Sequence, residues 1–242
     1  MRWTSHRIYP RVLLAVLLAL AAALAIGPTD RADWVLENAL LLVGLVVLVA
    51  TRKALPLSRV SYTLIFVFCC LHTVGAHYTY SLVPYDRWVE SLTGTTLAEA
   101  FGWERNHYDR LVHFAYGLLL AYPVREVFLR VADVKGLWGY YLPLDVVMAT
   151  SMVYELIEWA AAEILGGELG AAYLGTQGDV WDAQKDMALA MFGAVLAMTV
   201  TAALNKRWQR DFNREWAESL KVKHKRPLGE DELARLKRES ER

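Results

Sequence analysis

Acidic side chains crowd the entrance to the last apolar segment of this chain. The stretch GDVWDAQKDM places Asp179, Asp182 and Asp186 directly before an uncharged run, ALAMFGAVLAMTVTAAL. Because a helix turns by about 100° per residue, these three carboxylates fall within an arc of roughly 60° on one helix face. Carboxylates that share a face can bind cations or transfer protons. The spacing therefore predicts chemistry at this helix entrance.

Two further segments carry ionisable pairs about one helical turn apart. Asp109 and His113 open one segment, and Glu155 and Glu158 lie near the end of the next. Such side chains are costly to expose to lipid, so we expect these faces to point at one another. His72, near the end of an earlier segment, is expected at the same membrane face. Carboxylates combined with imidazole favour a bound divalent metal.

Crowded carboxylates repel one another unless a cation lies among them. The candidates for this cation are a divalent metal cofactor, the side chains of Arg105, Arg110 and Lys185, and protonated histidines, and the enzyme hypothesis takes the metal. One carboxylate that does not bind the metal would be the general base for water. Neighbouring cationic side chains would bind an anionic headgroup. The predicted metal ligands are His72, Asp109, His113, Asp179 and Asp182, the predicted catalytic residues are Glu155, Glu158 and Asp186, and the predicted substrate-binding residues are Arg105, Arg110 and Lys185.

Structural roles are the alternative explanation for part of this pattern. Asp179 has the residue type of a helix N-cap, with Asp182 at the third helical position and Lys185 as an ion-pair partner of Asp182. The two glutamates of the preceding segment would then be solvated at the membrane interface. Asp186 stands about 10 Å further along the helix axis than Asp179, which is beyond the reach of capping.

Six apolar segments must position these residues. With 55% hydrophobic residues among 242, the chain is more apolar than an ordinary soluble domain, and the segments have the length of bilayer-spanning helices. We therefore expect an all-α, polytopic membrane protein with a bundle of six transmembrane helices. The segments are roughly 11–27, 34–51, 60–77, 110–131, 137–162 and 186–204.

The distribution of positive charge predicts the orientation of this bundle. Lys and Arg are concentrated in the connections that share a side with both termini, even when the C-terminal tail is left out. By the positive-inside rule, the N- and C-termini are cytoplasmic and the acidic cluster is periplasmic. We expect the first segment to stay as an anchor, with a cleaved signal peptide as the alternative.

Two regions with different partners follow from this topology. Residues 1–205 form the transmembrane domain, and 206–242 form a charged cytoplasmic tail that is partly helical or disordered. The partner is the membrane lipid bilayer rather than nucleic acid, because the basic run of the tail is short and mixed with acids. The oligomeric state does not follow from the sequence.

Depth along the helices predicts contacts for residues outside the cluster. At 1.5 Å per residue, Arg125 and Asp145 lie at nearly the same depth toward the cytoplasm, so we expect them to form an ion pair. Glu37 begins its segment from the outside and is expected at the rim of the cluster.

Four stretches resemble the YjdF-type bacterial inner-membrane proteins: HTVGAHYTYSLVPYD, FGWERNHYDRLVHFAYGLLLAYPVRE, YELIEWAAAEILGG and YLGTQGDVWDAQKDMALA. This resemblance covers roughly residues 35–205 and implies a multi-pass protein of the bacterial inner membrane, but it implies no substrate. A more distant likeness is to VanZ-like membrane proteins, with Arg110 where their lysine stands. That likeness implies a small-bundle architecture only.

The function that we expect is a metal-dependent, membrane-embedded hydrolase or transferase that acts on a lipid or lipid-linked envelope substrate. The alternatives are a non-catalytic membrane assembly or accessory protein and a small ion- or proton-coupled transporter. A cluster at one membrane face favours the enzyme, whereas a transporter is expected to show internal repeats, and none is evident. The chain has no P-loop, dinucleotide fingerprint or HExxH motif, so the common soluble chemistries are not indicated.

Overall fold

The computed structural model describes residues 3–167, 170, 175–223 and 227–241, and within these ranges the chain forms helices and no β-strand. The helices are α1 (Trp3–Leu24), α2 (Arg31–Thr51), α3 (Arg59–His77), α4 (Tyr85–Thr93), α5 (Leu97–Phe101), α6 (Tyr108–Val131), α7 (Trp138–Leu165), α8 (Asp182–Trp208), α9 (Phe212–Ser219) and α10 (Leu228–Ser240).

The six predicted segments coincide with α1, α2, α3, α6, α7 and α8. Of these, α2, α3 and α8 are long and apolar enough to cross a membrane, and α1 has a shorter apolar part, Ile8–Leu24. Ionisable residues interrupt α6 and α7, which are 24 and 28 residues long. The prediction of an all-helical chain is confirmed for the described residues, and three of its helices have the length and apolarity of membrane spans.

Two short helices lie in the connection between α3 and α6. Both end at a glycine in the left-handed conformation, Gly94 with φ 80° and Gly102 with φ 67°, where a side chain would be strained. A capping box between Thr96 and Glu99 begins α5. These stops keep α4 and α5 short, so the connection folds back and brings the chain to the start of α6.

Small residues form a tight seam between α6 and α8. A Cβ atom at Gly117 of α6 would overlap the carbonyl oxygen of Ala190, and one at Gly193 of α8 would overlap the carbonyl oxygen of Phe114. Small residues allow helix backbones to approach this closely, as they do in many membrane bundles. We refer to Gly117, Ala190 and Gly193 as the seam, because they set the distance between the two helices that carry most of the cluster.

The predicted ion pair between Arg125 and Asp145, both of which the structure describes, is wrong. The guanidinium of Arg125 instead lies over the ring of Tyr140, 4.6 Å from its centroid. Phe212 and Trp216 of α9 pack on the same tyrosine. Equal depth along two helices does not determine which way the side chains point, and here an aromatic ring takes the cation.

Candidate metal centre

The seam aligns one face of α6 with one face of α8. Asp109, His113 and Gly117 follow one another at intervals of four residues, so they share a face of α6. On α8, Asp186 precedes Ala190 by the same interval. Because the backbones touch at Gly117 and Ala190, the side chains one and two turns away on these faces meet across the seam.

Three side chains converge at this meeting point. Asp109, His113 and Asp186 each offer one ligand atom, and these atoms all lie within 4.8 Å of one another. His113 Nε2 stands 3.5 Å from Asp109 Oδ1. The site is enclosed, since Asp186 is 2% exposed and His113 is 8% exposed. We call these three residues the inner cluster.

Helix α7 places a fourth potential metal ligand, the carboxylate of Glu155, beside the inner cluster. Glu155 Oε1 lies 3.6 Å from His113 Nε2. Among the residues that the structure describes, neither Glu155 Oε1 nor Asp186 Oδ1 has a hydrogen-bond partner, although both atoms are buried. Ser151 Oγ, one turn from Glu155, is buried and unpartnered as well. A buried polar group without a partner costs about 1–3 kcal/mol, so a cation or a proton is needed beside these oxygens.

One imidazole with two or three carboxylates suits Mn²⁺, Fe²⁺ or Zn²⁺. Ligand atoms lie about 2.0–2.2 Å from such an ion, so neighbouring ligand atoms stand about 3–3.6 Å apart. The ligand atoms of the inner cluster, which lie within 4.8 Å of one another, therefore need to move inward to hold an ion. The residues present fit a divalent metal, with Glu155 beside it.

The cationic residues lie above the inner cluster and are paired with aspartates. Arg105 donates to both carboxylate oxygens of Asp182, with 3.3 Å between Nη2 and Oδ2. Arg110 donates to Asp179 and also to Asp182, 3.3 Å away. Lys185 Nζ donates to Asp179 Oδ2 at 2.5 Å. We call these five residues the rim.

Asp179 and Asp182 were predicted as metal ligands, but the structure places them in the rim and not in the inner cluster. Asp179 and Asp182 neutralise the arginines, whereas Asp186, predicted as catalytic, lies among the potential ligands. The capping role considered for Asp179 is wrong, because α8 begins at Asp182 and its N-cap residue is Trp181. Asp179 Oδ1 instead accepts a hydrogen bond from the backbone of Trp181 at 3.1 Å.

Asp179 of the rim and the neighbouring His107, both outside the long helices, have displaced pKa values. The hydrogen bond from Lys185 holds the pKa of Asp179 well below its usual range, and the backbone of Trp181 and Arg110 act in the same direction. Partial burial lowers the pKa of His107, and the charges of Arg110 and Arg105 lower it further. The rim therefore favours an ionised aspartate and a neutral histidine.

His72, a predicted metal ligand, lies apart from the inner cluster. Its Nε2 is 3.1 Å from the carbonyl oxygen of Glu37, and its Nδ1 is 2.5 Å from the hydroxyl of Tyr80. A carbonyl oxygen only accepts, so Nε2 carries the proton and Nδ1 accepts from the tyrosine. Both nitrogens are engaged, which leaves no free lone pair on His72 for a metal.

Helix α2 contributes two acids, Glu37 and Asp33. The sequence predicted Glu37 only at the edge of the acidic cluster and made no prediction for Asp33. Glu37 is buried and accepts a hydrogen bond from Tyr154 of α7 at 3.0 Å. It also lies close enough to Glu158 for the two to interact electrostatically. Asp33 is buried one turn earlier on α2. The four-residue interval of these two acids at the start of an apolar segment was the signal that could have found them.

A bundle of apolar helices that encloses an acidic cluster near one end defines an integral membrane protein. The chain belongs to the family described as "Predicted membrane protein (DUF2238)", which it matches over residues 9–207. It is 37% identical over 188 residues to the inner membrane protein YjdF of Escherichia coli (strain K12), with 77% of this chain and 86% of that relative covered. No solved structure matches it. The YjdF-type resemblance and the inner-membrane location are thereby confirmed.

Proposed function

We propose that the chain crosses the inner membrane six times, with both termini in the cytoplasm and the inner cluster near the periplasmic face. The lengths of α6 and α7, 24 and 28 residues, are sufficient for a span. Their acids at the cluster point into the bundle, which removes the main cost of an ionisable residue in a transmembrane helix. The excess of Lys and Arg on the side of the termini supports the orientation.

In this proposal, the protein is a metal-dependent hydrolase or transferase that acts at the outer leaflet. The observation that carries it is the convergence of Asp109, His113 and Asp186, with the unpartnered Oε1 of Glu155 3.6 Å from His113. A divalent metal bound there would lower the pKa of water and polarise a substrate oxygen. Glu155 would accept the proton of the attacking water as general base.

The remaining predicted residues fit supporting roles. Glu158 lies next to Glu155 on α7 and would receive the proton from it or hold it in place. The rim holds three cations and two carboxylates, which leaves an excess of one positive charge. Lys185 is half exposed, at 49% of its side chain. An anionic headgroup of a lipid or lipid-linked substrate is the partner that this charge supports.

A second candidate function is non-catalytic, with the polar end of the bundle serving assembly. The observation that favours it is the mutual pairing of Arg105 and Arg110 with Asp179 and Asp182, which ties the start of α6 to the start of α8. A protein of this kind would keep its rim intact and would need neither metal nor turnover.

Elemental analysis of the purified full-length protein tests the proposal. We expect about one equivalent of Mn, Fe or Zn per chain in the wild type and a loss of most of it in Asp186→Ala and His113→Ala. Asp145→Asn, a half-buried acid of α7 outside the cluster, is the matched control and should retain the metal. The absence of metal from the wild type would remove this function.

A second measurement separates the enzyme from the assembly role. Glu155→Gln should keep the metal and lose turnover of a lipid phosphate ester presented in vesicles, because only the general base is removed. If the wild type and Glu155→Gln contain the same amount of metal and the wild type turns over no such lipid, the non-catalytic function is favoured.

A further inference from the structure

A second group of buried acids lies at the first turn of α2, on a different helix from the three residues of the inner cluster. Asp33 is 1% exposed, and neither of its carboxylate oxygens has a hydrogen-bond partner in the part of the chain that the structure describes. An uncompensated carboxylate in such a place is among the most costly arrangements in a folded protein. Its presence calls for a cationic ligand.

Helix capping does not account for Asp33. The N-cap residue is Asp30, whose Oδ1 accepts from the backbone nitrogens of Ala32 at 2.8 Å and Asp33 at 2.9 Å. In a reciprocal capping box, the acid at the third position would accept from the backbone of the N-cap residue. Asp33 does not return this bond, because its side chain is turned into the bundle.

The nearest arginine in sequence does not neutralise Asp33 either. Arg31 Nη1 donates to the carbonyl oxygen of Ala25 at 2.7 Å, and its guanidinium lies over the ring of Trp34, 5.6 Å from the centroid. The cation of this helix start is thus directed away from the buried carboxylate.

Glu37 completes the site from one turn further along the same face of α2. It is 5% exposed, its charge interacts with that of Asp33, and its Oε2 accepts a hydrogen bond from the hydroxyl of Tyr154. The imidazole of His72, which contacts the backbone of Glu37, has both nitrogens engaged. The atoms that remain to bind a cation at this site are therefore all oxygens.

We propose that Asp33 and Glu37 together bind a hard divalent cation, Mg²⁺ or Ca²⁺, with the hydroxyl of Tyr154 beside it. Two carboxylates balance the charge of one such ion, and hard cations take oxygen ligands. The inner cluster differs because it offers an imidazole nitrogen, which suits softer transition metals. The second site does not depend on the proposed hydrolase or transferase function.

Thermal unfolding of the full-length protein in detergent, stripped with a chelator, tests this site. At a cation concentration about 100 times the dissociation constant, Mg²⁺ or Ca²⁺ should raise the unfolding temperature of the wild type by about 5–10 °C. Asp33→Asn should abolish this rise. Asp30→Asn is the matched control from the same turn, since asparagine caps a helix as well as aspartate does, and it should keep the rise.

Asp186→Asn separates the second site from the inner cluster. This variant should keep the response to Mg²⁺ or Ca²⁺ while it loses bound transition metal, and Asp33→Asn should show the reverse. If Asp186→Asn loses both responses, or if Asp33→Asn keeps the Mg²⁺ or Ca²⁺ response, the second site does not exist. A wild type that responds to neither ion overturns the proposal as well.

Two further measurements separate a ligand role of Asp33 from a structural role and provide a second variant if Asp33→Asn does not fold. Without metal, Asp33→Asn should unfold at the same temperature as the wild type or higher, because a buried uncompensated charge has been removed. A clearly lower temperature would show that Asp33 has a structural role and would contradict the proposal. If Asp33→Asn cannot be purified, Glu37→Gln should reduce the affinity for Mg²⁺ or Ca²⁺ at least tenfold, and unchanged affinity would overturn the site.

Discussion

Enclosed acids at the two ends of the bundle differ in how fully their carboxylates are hydrogen-bonded. At the end where α6 finishes, both oxygens of Glu126 accept from the backbone nitrogen of Ser58, at 2.8 and 3.0 Å, and Ser61 and Arg130 also donate to this carboxylate. At the end where α6 begins, Asp186 and Glu155 each have a buried oxygen for which the described residues provide no hydrogen-bond partner. An acid of the first kind stabilises the fold, whereas the second kind is available to a ligand.

The arginines differ between the two ends in the same sense. Arg125 lies over an aromatic ring at one end, and at the other Arg105 and Arg110 pair with aspartates that stand directly above the inner cluster. In an ion pair, an anionic ligand can replace the carboxylate partner of the arginine. An arginine stacked on a tyrosine ring has no such carboxylate to be replaced. Of these three arginines, only Arg105 and Arg110 therefore form ion pairs that an anionic ligand could enter.

The largest effect should come from separating α6 and α8 beneath the inner cluster. Gly117→Ala would place a methyl group against the carbonyl oxygen of Ala190, and since backbone cannot move aside cheaply, we expect a loss of about 3 kcal/mol of stability. Chemical unfolding in detergent measures this loss. Gly44→Ala is the control, because a Cβ there meets nothing within 4 Å. Equal stability of the two variants would show that the seam is not rigid.

A second experiment tests the contrast between the ends by its sign. Glu126→Gln should destabilise the protein by about 1.5 kcal/mol, because it weakens hydrogen bonds to a charged acceptor. Asp186→Asn should leave the stability of the metal-free protein unchanged or raise it by up to about 3 kcal/mol, because an enclosed acid without a partner is replaced by a neutral amide. Unfolding curves of both variants under the same conditions give the answer. Changes of the same sign would contradict the comparison.

The smallest effect concerns pH and His107. Its pKa is lower in the folded protein than the ordinary value of 6.5, because of partial burial and the nearby Arg110 and Arg105. The unfolded chain therefore binds more protons below that value, so this contribution to stability is present above pH 6.5 and is lost as the pH falls below it. The unfolding temperature of the wild type should drop more between pH 7 and 5 than that of His107→Gln. Identical drops would show that His107 does not contribute to the pH dependence of the unfolding temperature.

Much of the fold followed from hydrophobic runs, and the reason is that length and apolarity are local properties. Each of the six predicted segments overlaps a long helix, and the depth of Asp109 and His113 could be counted at 1.5 Å per residue. Counting of this kind gives height along an axis but not direction around it. This is why the expected pair of Arg125 and Asp145 was wrong while the acidic end was located.

The division of labour among the aspartates required tertiary information. Asp182 and Asp186 are chemically alike and one turn apart, yet Arg105, supplied by a connection that precedes α6, reaches only the first of them. Helix α2 presented another obstacle, because it is apolar on most sides and only the four-residue interval of Asp33 and Glu37 marks its buried face. The position of Glu37 against Tyr154 therefore emerged only from packing.

The seam also restricts how the length of this chain can change. Because Gly117 and the potential ligand His113 share one face of α6, a single residue inserted between them would rotate the ligands by about 100° relative to the contact with α8. The same insertion in the connection between α3 and α6 would leave both faces aligned. Length variation among relatives should therefore be found in that connection and not within the turn from His113 to Gly117.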